Sequence, residues 1–247
     1  MPAEDTPLLP SPPANRKLKR KLNEDINSEA VIPILSVLSF TTGFLDAISY
    51  ATLSVWAGFQ TGNSLQLSLA LSRLTATPNS IPSHTSRLQH AFRPVDQIAV
   101  ASLVFFNIGA HLGGYFGSKR VSLILGSGIQ TLLTVIAAVI VMEAHTTTQY
   151  ASLCLIAFTL GMQGIQAKKL GSSVFGTSLV LTSAWVELMN ANRRSVINKS
   201  LPIISLIFGG FVGGAVLRFA GAAAALGIVA MLRGLVTATW FFVQAKA

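Results

Sequence analysis

The sequence predicts an all-α fold, a polytopic helical membrane protein. Two observations carry the class. Charged residues make up 11% of the 247 and hydrophobic residues 51%. Soluble domains carry about 25% charge, so this chain has too little to cover a water-facing surface. Apolar stretches recur along its length with short charged clusters between them, and most approach the roughly 20 residues that a helical crossing needs. A third observation sets the secondary structure. No alternation with a period of two appears, and strands survive in hydrocarbon only as closed barrels.

Residues 1–29 lie outside that pattern. They are Pro-rich at first, then basic in the run Arg16-Lys17-Leu18-Lys19-Arg20-Lys21. They read as a disordered tail, and without an apolar h-region they do not read as a signal peptide. Glu4-Asp5-Thr6-Pro7-Leu8-Leu9 fits an acidic-dileucine sorting pattern, a match short enough to arise by chance. The basic run directly before the first apolar segment places the N-terminus in the cytoplasm.

The membrane domain is 30–247. Its eight apolar segments cover about 31–53, 57–73, 97–118, 121–142, 149–167, 174–190, 201–217 and 220–244. The first two are nearly continuous. From residue 30 to residue 72 the only charge is Asp46. This run is too long for one crossing and barely long enough for two. Two glycine-containing polar clusters interrupt it, Gly43-Phe44-Leu45-Asp46 and Gly58-Phe59-Gln60-Thr61-Gly62-Asn63. An ionisable group and a Thr-Gly-Asn are costly in hydrocarbon, so a functional role is the default reading there.

The two halves resemble each other. Phe40-Thr41-Thr42-Gly43 matches Phe158-Thr159-Leu160-Gly161, and Phe59-Gln60-Thr61-Gly62 matches Phe175-Gly176-Thr177-Ser178. Gly109-Ala110-His111-Leu112-Gly113-Gly114 matches Gly209-Gly210-Phe211-Val212-Gly213-Gly214. The matches share one order, which predicts a duplication with repeats over about 31–142 and 149–244. Gly109, Gly113, Gly114, Gly209, Gly213 and Gly214 read as helix-packing residues. In lipid, close backbone approach at small residues drives helices together.

The second and sixth segments decide the topology. Both are short and glycine-broken at matching places. If both are re-entrant, six spans remain and the repeat is inverted. If both cross, there are eight and the repeat is parallel. The Lys and Arg distribution modestly favours six, and eight stays as the alternative. Paired broken segments are also the best sequence pointer to a transporter's substrate site.

Asp46, Thr61, Gly62, Asn63, Gln163 and Thr177 are the candidate substrate-binding residues. Asp46 reads as a proton or cation site, or equally as a cap or kink at a helix end. Arg233 is a possible partner by charge, although depth counting at about 1.5 Å per residue separates the two by about 10 Å. Thr61 or Asn63 can N-cap the helix that follows. A half-helix N-terminus inside a membrane presents free N–H groups to an anion, while the blander reading is a plain cap. Gln163 and Thr177 are the second-half polar counterparts. Glu187 reads as a structural partner of Arg193 or Arg194, and His111 as a helix-facing hydrogen-bond donor.

Other classes find little support. The net charge of +9 comes in clusters between apolar runs, without the basic stripe and interleaved aromatics of a nucleic-acid site. Nucleic acid is therefore not an expected partner. Cys154 is alone, so neither an intrachain disulfide nor a zinc cluster can form from cysteines. No hydrolase elbow or zinc-protease motif occurs. No catalytic residue, metal or cofactor is expected.

Gly43-Phe44-Leu45-Asp46-Ala47, Thr61-Gly62-Asn63 and Gly161-Met162-Gln163 together are similar to the YoaK-type family of multi-pass membrane proteins, a domain of unknown function found in bacteria and fungi. That family's pattern is G-x-x-D-A in the first span, T-G-N soon after, and G-M-Q in the second half. The resemblance covers about 35–244. It implies a shared membrane fold and supplies no activity. The chain departs from the pattern where Gly176-Thr177-Ser178 stands in place of a Thr-Gly pair.

The expected function is a small-solute or ion permease with its site between the repeats. The rival is a non-transporting membrane scaffold or assembly factor. The expected partners are the bilayer and an unidentified solute or ion, with a homo-oligomer left open.

Overall fold

The computed structural model describes residues 14–76, 84–143, 145–171 and 182–246. Among them there is no β-strand, only isolated bridges between Asp25 and Lys119 and between Ile26 and Ala245. The helices are α1 (Ala14–Leu22), α2 (Ile32–Leu53), α3 (Gln60–Ala76), α4 (His84–Ala91), α5 (Pro94–Gly113), α6 (Arg120–Val141), α7 (Thr146–Leu170), α8 (Thr182–Met189) and α9 (Arg193–Thr239). Of these, α2, α5, α6, α7 and the stretch Lys199–Thr239 are long and apolar enough to cross a membrane. The last is 41 residues, about twice one crossing. It bends at Gly221, whose φ of 80° and ψ of 172° are non-helical. The seventh and eighth segments therefore meet at this bend, giving α9 a first arm over 193–220 and a second over 222–239.

Two crossings of helices hold the bundle. In one, α2 packs on α9; in the other, α5 packs on α7. Both are glycine contacts. A Cβ built on Gly43 would overlap the Leu206 carbonyl oxygen, and one on Gly209 would overlap that of Phe40. Likewise a Cβ on Gly161 would overlap the Phe106 carbonyl, and one on Gly109 that of Phe158. Gly113 and Gly213 are also tight, with a built Cβ 2.9 Å from Met162 Cα and 2.7 Å from the Phe44 oxygen. Gly114 and Gly214 depart from the expected packing role. Gly114 meets only its own helix, and nothing lies within 4 Å of a Cβ on Gly214. Residues four apart share a helix face, and the fifth turns away.

The ends of the helices sort into two groups. Leu53, Val141, Gln149 and Ala222 line one small cavity, and Pro94 and Tyr150 line another. The ends of α2 and α6, the starts of α5 and α7 and the Gly221 bend thus share one end of the bundle, the loop end. At the opposite, terminal end, Ile26, Val31, Leu123, Leu170 and Trp240 form one apolar cluster. Arg120 is buried there and donates to the carbonyls of Lys21 (3.1 Å) and Trp240 (2.7 Å). Lys246 N donates to Asp25 O at 2.8 Å.

This corrects the tail. Residues 14–22 form α1, and Ile26 is buried. The cause is Arg120, whose guanidinium needs acceptors and takes the backbone oxygens of both chain ends. Residues 1–13 lie outside the described residues.

Candidate functional site

α2 ends at Ser54, whose φ of 56° and ψ of 28° are left-handed. The chain reverses there and runs back along α2. Ala57 N donates to Ser49 Oγ (3.1 Å), and Gly58 N donates to Asp46 Oδ1 (2.6 Å). An irregular segment at this depth leaves backbone groups without helical partners, each costing several kcal/mol in hydrocarbon. Side chains take them up instead. Asn63 is fully buried. Its Nδ2 donates to Trp56 O (2.7 Å), Gln60 Oε1 (2.9 Å) and Ser102 Oγ (3.2 Å), and its Oδ1 accepts from Trp56 N (3.4 Å). Ser102 on α5 also donates to Trp56 O at 2.9 Å. Asp46 and Asn63 therefore grip one loop from two sides.

The helix starts earlier than expected. α3 begins at Gln60, so Thr61 and Asn63 fall inside its first turn instead of capping it. Gly62 packs against the rings of Phe59 and Trp56, where a Cβ would come within 2.9 and 3.0 Å. At the far end of α3, Arg73 forms an ion pair with Asp96, the third residue of α5.

Two cavities flank the loop. One, of about 500 Å3, is lined by Asp46, Tyr50, Trp56, Phe59 and Trp185, and by Gly43 and Gly210 at the α2–α9 crossing. Tyr50 stacks on Trp56 at 4.2 Å, and Trp56 meets Phe59 edge-on at 6.0 Å. The other, of about 260 Å3, is lined by Phe59, Thr61, Gly164 and Lys168, and by Phe106 and Gly161 at the α5–α7 crossing. Phe59 belongs to both. The first extends toward the loop end through Tyr50, the second toward the terminal end through Lys168.

Gln163 stands apart from both cavities. It donates to Leu38 O (3.2 Å) and Thr42 Oγ1 (2.9 Å) and accepts from Arg233 Nη2 (3.1 Å). Arg233 Nη1 donates to Thr134 and Thr159 hydroxyls, both at 2.7 Å, while its buried Nε has no partner. Arg233, the possible partner by charge, does not pair with Asp46 among the described residues, in line with the difference in depth. Arg233 spends its donors on neutral oxygens of α6 and α7. Glu187 pairs with Lys199 at 3.6 Å; the side chains of Arg193 and Arg194 lie outside the described residues, as does Thr177. His111 is exposed and faces Tyr115, with 3.3 Å between ring nitrogen and hydroxyl.

Of the site, sequence reasoning missed Ser49, Ser102 and the aromatic wall. The wall left a signal, Tyr50 and Trp56 placed on either side of the Ser54 reversal. Ser49 and Ser102 left none, since any serine in an apolar segment reads the same.

Five crossing-length apolar helices, with an irregular loop folded back against one of them, fit a multi-pass membrane protein. The chain belongs to the family described as a protein of unknown function (DUF1275), which matches residues 34–239. That is the family of the G-x-x-D-A, T-G-N and G-M-Q motifs. No curated protein and no solved structure matches the chain.

Proposed function

We propose that the chain is a permease for a small solute or ion, with six spans, a re-entrant α3 and its path along the two flanks of the 54–59 loop; the sixth apolar segment lies partly outside the described residues. The observation that carries this reading is the pair of cavities. They lie on opposite sides of one loop, share Phe59, and extend toward opposite ends of the bundle. A site that must open to one side at a time needs such an arrangement. The reading includes no catalytic step.

The six-span reading rests on the helix ends. α2 finishes and α5 starts at the loop end, so α3 enters and leaves on one side. α7 finishes and the first arm of α9 starts at the terminal end, and there the segment just before α2 is bonded to the segment after α9, Asp25 to Lys246 and Asn27 to Gln244. Lys21, Lys119, Arg120, Lys168, Lys169 and Lys246 gather at that end, against Arg73, Arg87, Arg93 and Arg218 at the other. By the positive-inside rule the terminal end is cytoplasmic.

Matching contacts support an inverted duplication. Gly43, Asp46, Ala47 and Tyr50 line one cavity; Gly161, Gly164, Ile165 and Lys168, each 118 residues later, line the other. Leu206 and Gly210 line the first; Phe106 and Ala110, each 100 residues earlier, line the second. The two glycine crossings obey the same offsets.

The test works with an unidentified cargo. Membrane vesicles with and without the full chain are incubated with a metabolite extract, and retained small solutes are compared by mass spectrometry. At least one solute is expected to accumulate with the wild-type chain, and to fall at least tenfold with Asp46→Asn at equal protein level. Asparagine keeps an oxygen for Gly58 N–H, so the loop stays braced. No chain-dependent solute would favour the scaffold, and one indifferent to Asp46→Asn would remove Asp46 from the path.

A further inference from the structure

Granted the permease reading, we propose that its cargo is a small organic monocation of the ammonium class, held between the Asp46 carboxylate and the aromatic wall of the 500 Å3 cavity. Three observations converge.

The first is an uncompensated charge. Asp46 is 9% exposed on a membrane-crossing helix. Among the described residues no Lys or Arg forms an ion pair with it, because the ion pairs are Arg73–Asp96, Arg120–Glu24 and Lys199–Glu187. Arg233, the cation buried in the same bundle, is engaged by Thr134, Thr159 and Gln163. The loop needs only an acceptor oxygen for Gly58 N–H, which a neutral asparagine would supply. A carboxyl kept on a membrane-crossing helix with a backbone N–H donor but no cationic partner among the described residues is a place where a proton or a cation is favoured.

The second is the wall. Tyr50, Trp56, Phe59 and Trp185 bring four aromatic rings to the cavity in which Asp46 is the one carboxylate among the described residues. Ring faces attract cations, and alkylammonium groups gain most because their hydration is easily given up. A bare alkali ion would want several oxygen ligands, and among the described residues the lining side chains offer Asp46, the Tyr50 and Thr182 hydroxyls and otherwise apolar or aromatic groups. The cavity also exceeds what one small ion fills.

The third is the contrast with the second cavity. The positions equivalent to Asp46 and Tyr50 hold Gly164 and Lys168. Among the described residues that cavity has no carboxylate in its lining and carries a lysine. An ammonium held beside Asp46 finds no second resting place there, so the two halves are not interchangeable sites.

The experiment uses the full chain in nanodiscs, titrated with tetramethylammonium while tryptophan fluorescence is followed. Trp56 and Trp185 line the cavity, whereas Trp240 is fully buried at the terminal end. A saturable change is expected, competed by choline and unaffected by acetate. Asp46→Asn and, separately, Trp185→Ala should each weaken it at least tenfold. Trp185 is 48% exposed, so its loss leaves the packing intact if Asp46→Asn does not. Arg218→Gln should leave the titration unchanged. No saturable change, or one that survives both cavity variants, would overturn the proposal. The two readings fail separately. Ammonium binding without accumulation in vesicles removes the permease and keeps the site. Asp46-dependent accumulation of a neutral or anionic solute keeps the permease and removes the ammonium.

Discussion

Gln163→Leu will lower the stability of the full chain by about 1.5–3 kcal/mol, the range for a lost hydrogen bond to a charged group, and adding Arg233→Met will restore part of the loss. Gln163 is fully buried, and its Oε1 is the acceptor for Arg233 Nη2. Leucine there leaves part of a guanidinium without an acceptor inside a membrane bundle. Arg233 has no carboxylate partner to fall back on, and its Nε is already unpaired. The oxygens that Arg233 would abandon fare better. Thr134 and Thr159 hydroxyls also donate to Gln130 O and Ile156 O, both near 2.7–2.8 Å, so neither loses its only bond. Removing the cation as well relieves a desolvation cost of about 2.5–3.5 kcal/mol on translocon-insertion scales. The expected order of apparent melting temperature in detergent is therefore wild type, then the double variant, then Gln163→Leu. A double variant below Gln163→Leu would mean that Arg233 stabilises the bundle through contacts of another kind.

Gly209→Leu will cost about 3 kcal/mol or more, the upper range for forced overpacking, while Gly214→Leu will stay within about 0.5 kcal/mol, as substitutions away from packed contacts do. A Cβ at Gly209 falls on the Phe40 carbonyl oxygen with Phe40 Cα at 3.0 Å. That is rigid backbone in another helix, so it cannot swing aside. Parting α2 from α9 would also open the Gly43–Leu206 contact and the wall of the Asp46 cavity. Gly214 has nothing within 4 Å. Thermal unfolding of the two variants should separate cleanly. Equal losses would mean that the crossing is elsewhere on α9.

The helices were legible because their cause is local. Apolar runs bounded by Lys119-Arg120 and Lys168-Lys169 put α6 and α7 within three residues of their observed ends. The glycine pattern was half legible. A spacing of four correctly singled out Gly109, Gly113, Gly209 and Gly213, but adjacency in sequence pulled in Gly114 and Gly214, which a helix turns away. Gly43 and Gly161 were read as parts of site motifs, yet each is jammed against a backbone across the bundle. Spacing alone cannot separate these roles.

The candidate residues were legible as unusual and illegible as partners. Asp46 and Asn63 both brace the 54–59 loop, a joint task that only the reversal at Ser54 makes possible. Gln163 serves Arg233, 70 residues away, and no local pattern encodes that. The order in residues 14–29 escaped for the same reason. A basic run looks disordered by composition until Arg120 takes its carbonyl oxygens.

Everything above on function depends on α3 turning back inside the membrane. Cysteine labelling tests it directly. In a Cys154→Ala background, Gln89→Cys in α4 and Lys246→Cys near the C-terminus are made one at a time. Intact cells are then exposed to a membrane-impermeant thiol reagent. Labelling of Gln89→Cys in intact cells, with Lys246→Cys labelled only after permeabilisation, is the predicted result. Labelling of both from the same side would make α3 a crossing, and the two cavities could no longer serve one path.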